Sequence, residues 1–189
     1  MKVCVYAICK NESQFADRFM DSMSEADYVC VLDTGSSDDT VEKLRARGAI
    51  VGETIISPWR FDTARNESLK LIPADADICC AIDLDEQFHP GWRAALERAW
   101  QPDTTRARYR YTWSFRPDGS EGMVFWADKI HKNGCYRWAS PVHETLFYTG
   151  EGAERFVDAA GVQLDHHPDE TKSRGQYLPL LELAVREDP

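Results

Sequence analysis

The stretch from residue 78 to residue 86 most constrains the fold, because a short apolar run ends there in three carboxylates. Ile78 to Ile82 is continuously apolar and too short for a helix, which is typical of a strand buried on both faces. Asp83, Asp85 and Glu86 follow, and residues two apart on an extended segment point the same way. Asp83 and Asp85 can therefore converge on a divalent cation whose open positions are filled by a substrate phosphate. Solvated loop acids at a strand end are the simpler alternative.

Strand-like and helix-like segments alternate through the first half of the chain. Strands are predicted at 3–8, 28–32, 49–56 and 78–82, with amphipathic helices in the intervals between them. This order predicts an α/β domain with a largely parallel sheet. Ligands of such sheets bind beyond the carboxyl ends of the strands. Lys10, Asp33 and the pair Asp83 and Asp85 all lie at such ends, which favours a binding site there.

The second half is richer in short strands. A helix is predicted after Pro90, and residues 106–115 alternate between apolar and polar as a half-buried strand does. A turn at 117–119 predicts a hairpin with 122–126, and further strands are predicted at 127–131, 136–138, 144–148 and 157–164. The end of the chain reads as helical, with Pro179 expected to start or kink the helix.

Composition narrows the class of protein. A chain of 189 residues suits one well-buried domain. Its formal charge of −10 argues against tight, non-specific binding to nucleic acid, and duplex nucleic acid is disfavoured as a partner. The six cysteines show no Cys-x-x-Cys spacing, which favours a reduced compartment. With neither a signal peptide nor a transmembrane-length run in the sequence, a cytoplasmic location is expected.

Several short motifs, in order and at the right spacing, resemble family 2 glycosyltransferases. They are Ile8-Cys9-Lys10-Asn11-Glu12, Val31-Leu32-Asp33-Thr34-Gly35-Ser36-Ser37-Asp38-Asp39-Thr40, Ala64-Arg65-Asn66, Ala81-Ile82-Asp83-Leu84-Asp85-Glu86, Pro141-Val142-His143-Glu144 and Leu164-Asp165-His166. The last two resemble marks of a short, single-domain branch related to lipopolysaccharide-core glucosyltransferase-like and peptide S-glycosyltransferase-like enzymes. The resemblance implies a GT-A fold, a mixed sheet with helices on both faces. It also implies a UDP-sugar donor, Mn²⁺ or Mg²⁺, and transfer with inversion.

The resemblance also divides the chain. Residues 1–170 would form the glycosyltransferase domain, with a nucleotide-binding half at 1–90 and an acceptor-side half at 91–170. Residues 171–189 would form a helical segment that resembles the first helix of a tetratricopeptide-type array, and the chain would then be either a minimal enzyme or a truncated one.

Individual residues take roles from the same resemblance. Asp33 would accept hydrogen bonds from the base or ribose of the nucleotide, with a helix-capping aspartate as the alternative. Asp85 would ligate the metal, and Asp83 would contact the ribose or the metal site. Arg65 and, less strongly, Lys10 would place positive charge near the diphosphate.

His166 matches the position of a third metal ligand, with His167 as the fallback. Imidazole nitrogen suits Mn²⁺ better than Mg²⁺. Transfer with inversion needs a general base, and the candidates beyond the acidic motif are Glu144 first and Asp128 second, followed by His131 and His143. The Glu-Asp pair that carries the base in longer family members is absent from this sequence.

Two other functions stay open at this stage. A nucleotidyltransferase uses a similar sheet and metal, but it usually has a glycine-rich loop after the first strand, and residues 9–12 contain no glycine. A sugar-nucleotide binding module without catalysis would bind the donor and transfer nothing. The acceptor is not identified by the sequence: a peptide, a glycan, a lipid-linked sugar or a modified base would each be compatible.

Overall fold

A mixed eight-stranded sheet forms the frame of the protein. The computed structural model describes residues 1–169, 175 and 177–187. In chain order the elements are β1 (Val3–Cys9), α1 (Ser13–Ser22), β2 (Tyr28–Asp33), α2 (Thr40–Ala46), β3 (Ile50–Glu53), α3 (Phe61–Leu69), β4 (Ile78–Ala81), β5 (Glu86–Phe88), α4 (Trp92–Ala99), β6 (Arg106–Thr112), β7 (Val124–Lys132), β8 (Tyr136–Ala139), β9 (Thr145–Tyr148), β10 (Phe156–His166) and α5 (Tyr177–Glu187). The strand order in the sheet is β3-β2-β1-β4-β7-β6-β10-β5, and β8 and β9 form a separate hairpin.

The first half of the sheet is parallel, as the alternation of strands and helices predicts. β1 pairs in parallel with β2 and β4, and β2 pairs in parallel with β3. All seven residues of β1 are buried, which explains why its sequence is apolar without alternation. The carboxyl ends of β1, β2 and β4 therefore lie along one edge, and Cys9 at the end of β1 is directly opposite Asp33 at the end of β2.

The second half makes the sheet mixed. β7 runs antiparallel to both β4 and β6, whereas β10 runs parallel to β6 and antiparallel to β5. The pairing of β6 with β7 shifts register between Ala107 and Tyr109, which face Ile130 and Ala127, so β7 carries an extra residue there. Asp128 and Lys129 lie in this bulge.

The two faces of the sheet bury different elements. Alternate residues of β1, Val3 and Val5 among them, share a core with Phe19 of α1 and Trp92 of α4. The intervening Tyr6 packs on the other face with the β8–β9 hairpin. α3 lies on that second face, where Ala64 packs against Ile8 and Leu32. The prediction of an α/β fold with a mixed sheet and helices on both faces is confirmed.

Some elements differ from the prediction. β5 was not expected, because three residues that include Glu86 and Gln87 carry no strand pattern of their own and are ordered by pairing with β10. β7 is one strand where two were expected. Pro179 lies in the first turn of α5, where its missing N–H costs nothing. The predicted domain boundary at residue 170 lies outside the described residues. Among the helices that the structure describes, none is long and apolar enough to cross a bilayer.

Candidate active site

The acidic motif leaves the sheet directly after β4 and turns back to form β5. The turn is closed by the N–H of Glu86, which donates to the carbonyl of Asp83 at 3.0 Å. The Glu86 carboxylate points inward and is 2% exposed. It accepts hydrogen bonds from the N–H of Asp83 at 2.8 Å and from the Tyr111 hydroxyl at 2.6 Å. Burial and the neighbouring charge of Asp83 raise the pKa of Glu86. Glu86 therefore fixes the loop and does not face a ligand.

Asp85 and His166 come together across the two halves of the chain. The Oδ2 atom of Asp85 lies 3.3 Å from Nε2 of His166. Nδ1 of His166 lies 3.0 Å from the carbonyl oxygen of Trp113, which can only accept, so Nδ1 carries the proton. In the neutral ring the Nε2 lone pair therefore faces Asp85. A metal-ligating histidine is usually held this way, with its second ring nitrogen donating to a carbonyl or carboxylate.

The neighbours of His166 restrict its movement. Its ring stacks on the Trp113 indole at a centroid distance of 4.5 Å, and the residue is 8% exposed. The N–H of His167 donates to the Asp85 carbonyl at 2.8 Å, which ties the two segments together. Burial alone would lower the pKa of His166, but the hydrogen bond with Asp85, its negative charge and the Trp113 carbonyl raise it above the usual value.

Arg65 links the acidic motif to the loop that carries Glu144. Its Nη2 lies 2.6 Å from Oδ1 of Asp83, and its Nε lies 3.0 Å from Oε1 of Glu144. The residue is 3% exposed, and its Nη1 is buried with no hydrogen-bond partner among the described residues. Burial would raise the pKa of Asp83, but the positive charges of Arg65 and Lys129 outweigh this effect and lower it. The two carboxylates offset the cost of burying the guanidinium.

Glu144 is carried by a strained loop between β8 and β9. Ser140 and His143 both adopt positive φ angles, 82° and 53°. Such conformations are costly for residues other than glycine and persist where the surroundings enforce them, often at functional sites. Here the carbonyl of Pro141 accepts a hydrogen bond of 3.0 Å from the N–H of Phe61 at the start of α3. The loop is thereby fastened to the helix that carries Arg65.

Asp33 is occupied within its own loop. Its Oδ1 accepts hydrogen bonds from the N–H groups of Gly35 and Ser36, both at 2.9 Å, and its Oδ2 accepts from the Ser36 hydroxyl. The residue is 2% exposed. The role of Asp33 as a nucleotide contact stays a prediction; in the structure its oxygens are buried and already bonded within the loop. Lys10, by contrast, follows β1 directly and is exposed.

Asp128 and His131 are engaged elsewhere. The Asp128 carboxylate lies 3.1 Å from Nη2 of Arg106, and Nη1 of the same arginine lies 3.3 Å from the Glu154 carboxylate. His131 is 1% exposed and lies in the core, with Nε2 2.9 Å from the Tyr6 hydroxyl. Of the candidate bases, Glu144 is the one whose ion pair connects it, through Arg65, to the acidic motif.

Whether a metal ion fits the site depends on the donor atoms that its side chains present. Among the described residues, no group of three or more histidine, cysteine, aspartate or glutamate side chains forms a metal site. The expected set of Asp83, Asp85 and His166 is therefore not assembled, since Asp83 is paired with Arg65. Asp85 and His166 supply one carboxylate and one imidazole. A divalent ion that also takes diphosphate oxygens and water needs only one or two protein ligands, so this pair fits Mn²⁺ or Mg²⁺.

Three contributors to the site carried no sequence signal. The Trp113 carbonyl orients His166, but a backbone contact leaves no trace in residue type. Lys129 influences Asp83 from the β7 bulge, whose position depends on strand pairing. Tyr111 donates to Glu86, although the alternation of β6 marks Tyr111 only as an inward-facing apolar residue.

Comparison with known proteins places the fold more firmly than the function. No protein-family model matches the chain. Glucosyl-3-phosphoglycerate synthase from Mycobacterium tuberculosis, solved with Mn²⁺, UDP and glucosyl-3-phosphoglycerate, is 26% identical with a TM-score of 0.48, over 58% of this chain and 44% of that chain. The same synthase with Mn²⁺, UDP-glucose and phosphoglyceric acid gives 25% identity and 0.48, over 58% and 43%. It has also been solved with Mg²⁺ and UDP.

A further solved structure, described as a mycobacterial protein, is 16% identical with a TM-score of 0.57 and covers 90% of this chain and 68% of that chain. This likeness concerns the fold alone, and it confirms the mixed α/β sheet expected of a GT-A domain. The chain spans less than half the length of the synthase.

Proposed function

We propose that the protein is a metal-dependent glycosyltransferase that transfers a sugar from a nucleoside-diphosphate sugar, a UDP-sugar by family resemblance, to an acceptor with inversion. One observation carries the proposal. Asp85 and His166 approach to 3.3 Å at the carboxyl end of β4, with the histidine held in the tautomer that a metal requires. The buried cation Arg65 is linked to the same loop through Asp83.

Different residues of the site would stabilise different parts of a diphosphate leaving group. Asp85 and His166 would hold a divalent ion through Oδ2 and Nε2. Such an ion supplies Lewis-acid charge to the leaving oxygen. Arg65 would place a fixed positive charge near the diphosphate, while Asp83 and Glu144 fix the plane of the guanidinium. Lys10 would add an exposed positive charge at the end of β1.

Glu144 would take the proton of the acceptor hydroxyl. In the step we propose, the acceptor oxygen forms a bond to the anomeric carbon as the bond to the diphosphate oxygen breaks. The proton passes to Glu144, and the nucleoside diphosphate leaves with the bonding electrons. The ion pair with Arg65 holds the carboxylate in place for this transfer. Asp128 is the second candidate, but its carboxylate is held by Arg106.

Asp33 supports the site indirectly in this proposal. Its hydrogen bonds shape the turn at Gly35 and Ser36, beyond the end of β2, where the nucleoside would lie. Asp33 would therefore affect nucleotide binding by holding the loop in shape.

The test is calorimetric titration with UDP, with and without Mn²⁺, on the wild type and on Asp85→Ala and His166→Ala. We expect binding that needs Mn²⁺ and is lost in both variants. Asp158→Ala, which removes an exposed carboxylate of β10, is the matched control. UDP binding that is unchanged by the absence of Mn²⁺ or by Asp85→Ala contradicts the proposal.

Turnover is then measured with a panel of UDP-sugars. Pyrophosphate release from a nucleoside triphosphate would favour a nucleotidyltransferase, and donor binding without turnover would favour an inactive binding module.

We also propose that residues 1–170 form the glycosyltransferase domain and that 171–189 is an appended helical segment. The ion pair of Arg60 with Glu187 at 2.5 Å, and the contact of Phe61 with Tyr177 at a centroid distance of 5.9 Å, dock α5 against the start of α3. If the division is correct, a chain of residues 1–170 binds UDP and Mn²⁺ as the full chain does. A loss of that binding contradicts it.

A further inference from the structure

A cavity borders the proposed metal site on the side of α1. It has a volume of about 490 Å³ and lies between α1, the segment after β6 and the segment after β10. Its walls include Phe15, Arg18, Trp113, Phe115, His166 and His167. The roles proposed above for the donor and the metal use only one of these side chains, His166. The cavity is therefore available for another ligand.

Arg18 gives this cavity a cation with unsatisfied hydrogen-bonding capacity. Its Nε is buried and has no hydrogen-bond partner among the described residues. Its Nη2 reaches the His167 carbonyl only at 3.5 Å, and its guanidinium lies 5.0 Å from the centre of the Phe15 ring. A ligand in the cavity would meet the outer end of the guanidinium, whose contact with the His167 carbonyl is long, and an anionic group there would make charge-assisted hydrogen bonds. Asp85 is an acidic neighbour of Arg18, and a cation on Asp85 would leave Arg18 still needing a counter-charge.

The remaining walls are flat and apolar. The rings of Phe115 and His167 are parallel within 2° at a centroid distance of 5.1 Å. Trp113 and Phe115 are 39% and 36% exposed, although both are large and hydrophobic. Met123, whose carbonyl accepts from the N–H of Trp113 across the same hairpin, is also exposed. A free inorganic anion would leave these surfaces in water, whereas a planar or apolar group would cover them.

We propose that this cavity anchors the acceptor, and that the acceptor carries a phosphate or carboxylate attached to a planar or apolar group. The anion binds Arg18, and the attached group packs against Phe115 and Trp113. This inference rests on the proposed glycosyltransferase function, because it assigns the cavity to the second substrate of that reaction. It also gives a role to an arginine that an acidic chain with a formal charge of −10 keeps beside Asp85.

Phenyl phosphate is the probe, titrated calorimetrically in the presence of a chelator so that no metal bridges it to Asp85. We expect the wild type to bind it at least about tenfold more tightly than inorganic phosphate or phenol. Arg18→Gln should weaken binding about tenfold or more, as the loss of a charge-assisted hydrogen bond predicts. Phe115→Ala should weaken it by a smaller factor. Arg47→Gln, which removes an exposed arginine directly after α2, is the matched control and should bind like the wild type.

Two results would overturn the inference: equal binding of phenyl phosphate by the wild type and Arg18→Gln, or equal binding of phenyl phosphate and inorganic phosphate.

Vesicles that contain phosphatidic acid show whether the anion belongs to a lipid or to a small soluble molecule. Co-sedimentation that depends on Arg18 indicates a lipid acceptor, and its absence alongside phenyl phosphate binding indicates a small soluble one.

Titration of the same proteins with UDP and Mn²⁺ separates the two proposals. Arg18→Gln should keep UDP binding. If phenyl phosphate binds through Arg18 but UDP does not bind, the cavity assignment as an anion site holds and the glycosyltransferase proposal fails. If UDP binds and phenyl phosphate does not, only the acceptor inference fails.

Discussion

The carboxylate of Asp85 and the imidazole of His166 lie 3.3 Å apart, although one follows β4 and the other ends β10. Two features of the fold produce this contact. β5 turns back directly after the acidic motif and pairs with the end of β10, where His166 is opposite Glu86. The Trp113 carbonyl, at the end of the neighbouring β6, then sets the orientation of the ring. The contact is therefore fixed by strand register as well as by the two side chains.

His166→Ala should lower the affinity for Mn²⁺ in the presence of UDP by at least about tenfold, because the variant removes a nitrogen ligand. Mn²⁺ binding is measured by electron paramagnetic resonance of the free ion. His89→Ala is a suitable control, because His89 is half exposed and pairs with Asp165 of β10, next to His166 in the chain. An unchanged Mn²⁺ affinity in His166→Ala would remove the histidine from the proposed ligand set.

Arg65→Met should destabilise the fold by about 3 kcal/mol, because it leaves the Asp83 and Glu144 carboxylates without their shared cation. Adding Glu144→Gln to this variant should recover part of the loss, since one unpaired charge is then removed. Urea unfolding of the two single variants and the double variant gives the coupling. Strictly additive effects would mean that the Arg65–Glu144 contact contributes nothing measurable.

Glu144→Gln should retain UDP and Mn²⁺ binding but lose about a hundredfold or more in transfer, because glutamine can accept from Arg65 yet cannot take a proton. Asp128→Asn, whose parent carboxylate is held by Arg106, should transfer within a few-fold of the wild type. Release of UDP from the donor in the presence of acceptor measures both. The opposite ranking would assign the base to Asp128.

Tyr111→Phe should destabilise the protein by about 2 kcal/mol, because it removes the 2.6 Å hydrogen bond to the buried Glu86 carboxylate. Since Glu86 also accepts from the N–H of Asp83, the acidic loop should loosen and Mn²⁺ affinity should fall as well. Tyr148→Phe serves as the control, because the Tyr148 hydroxyl donates to an exposed loop carbonyl, that of Glu151. A stability loss of the same size in both variants would mean that the hydrogen bond from Tyr111 to Glu86 stabilises the protein no more than an exposed one does.

The sequence identified the elements of the site better than the contacts within it. The apolar runs of β1, β2 and β4 and their polar ends predicted where a ligand would bind, because buried parallel strands leave a strong local pattern. The occupation of Asp33 by its own loop could not be predicted, since an aspartate that accepts from Gly35 and Ser36 has the same sequence as one that is free for a ligand. The pairing of Arg65 with Glu144 depends on how the β8–β9 hairpin packs on α3, which is a non-local event. Family resemblance, and not periodicity, pointed to His166.

The stability of the fold should fall as the pH is lowered from about 6.5 to about 4, with His131 as one cause. His131 lies in the core, where its Nδ1 lies 3.0 Å from the carbonyl of Lys132 and its Nε2 lies 2.9 Å from the Tyr6 hydroxyl, which itself accepts from the Trp138 indole. Burial lowers the pKa of His131 to about 4, against about 6.5 in an unfolded chain. Between these values the unfolded chain binds the extra proton and the folded one does not, so acidification favours unfolding, by up to about 3 kcal/mol.

His131→Gln isolates this contribution, because glutamine does not titrate while the carboxylates and the other histidines do so in both proteins. Urea unfolding at pH 7, 6, 5 and 4.5 should give a free energy of unfolding that declines less steeply in the variant, although the variant is less stable at pH 7. Parallel pH profiles for the two proteins would mean that His131 takes up its proton equally in the folded and unfolded states. That result would contradict the buried, neutral histidine between Tyr6 and Lys132.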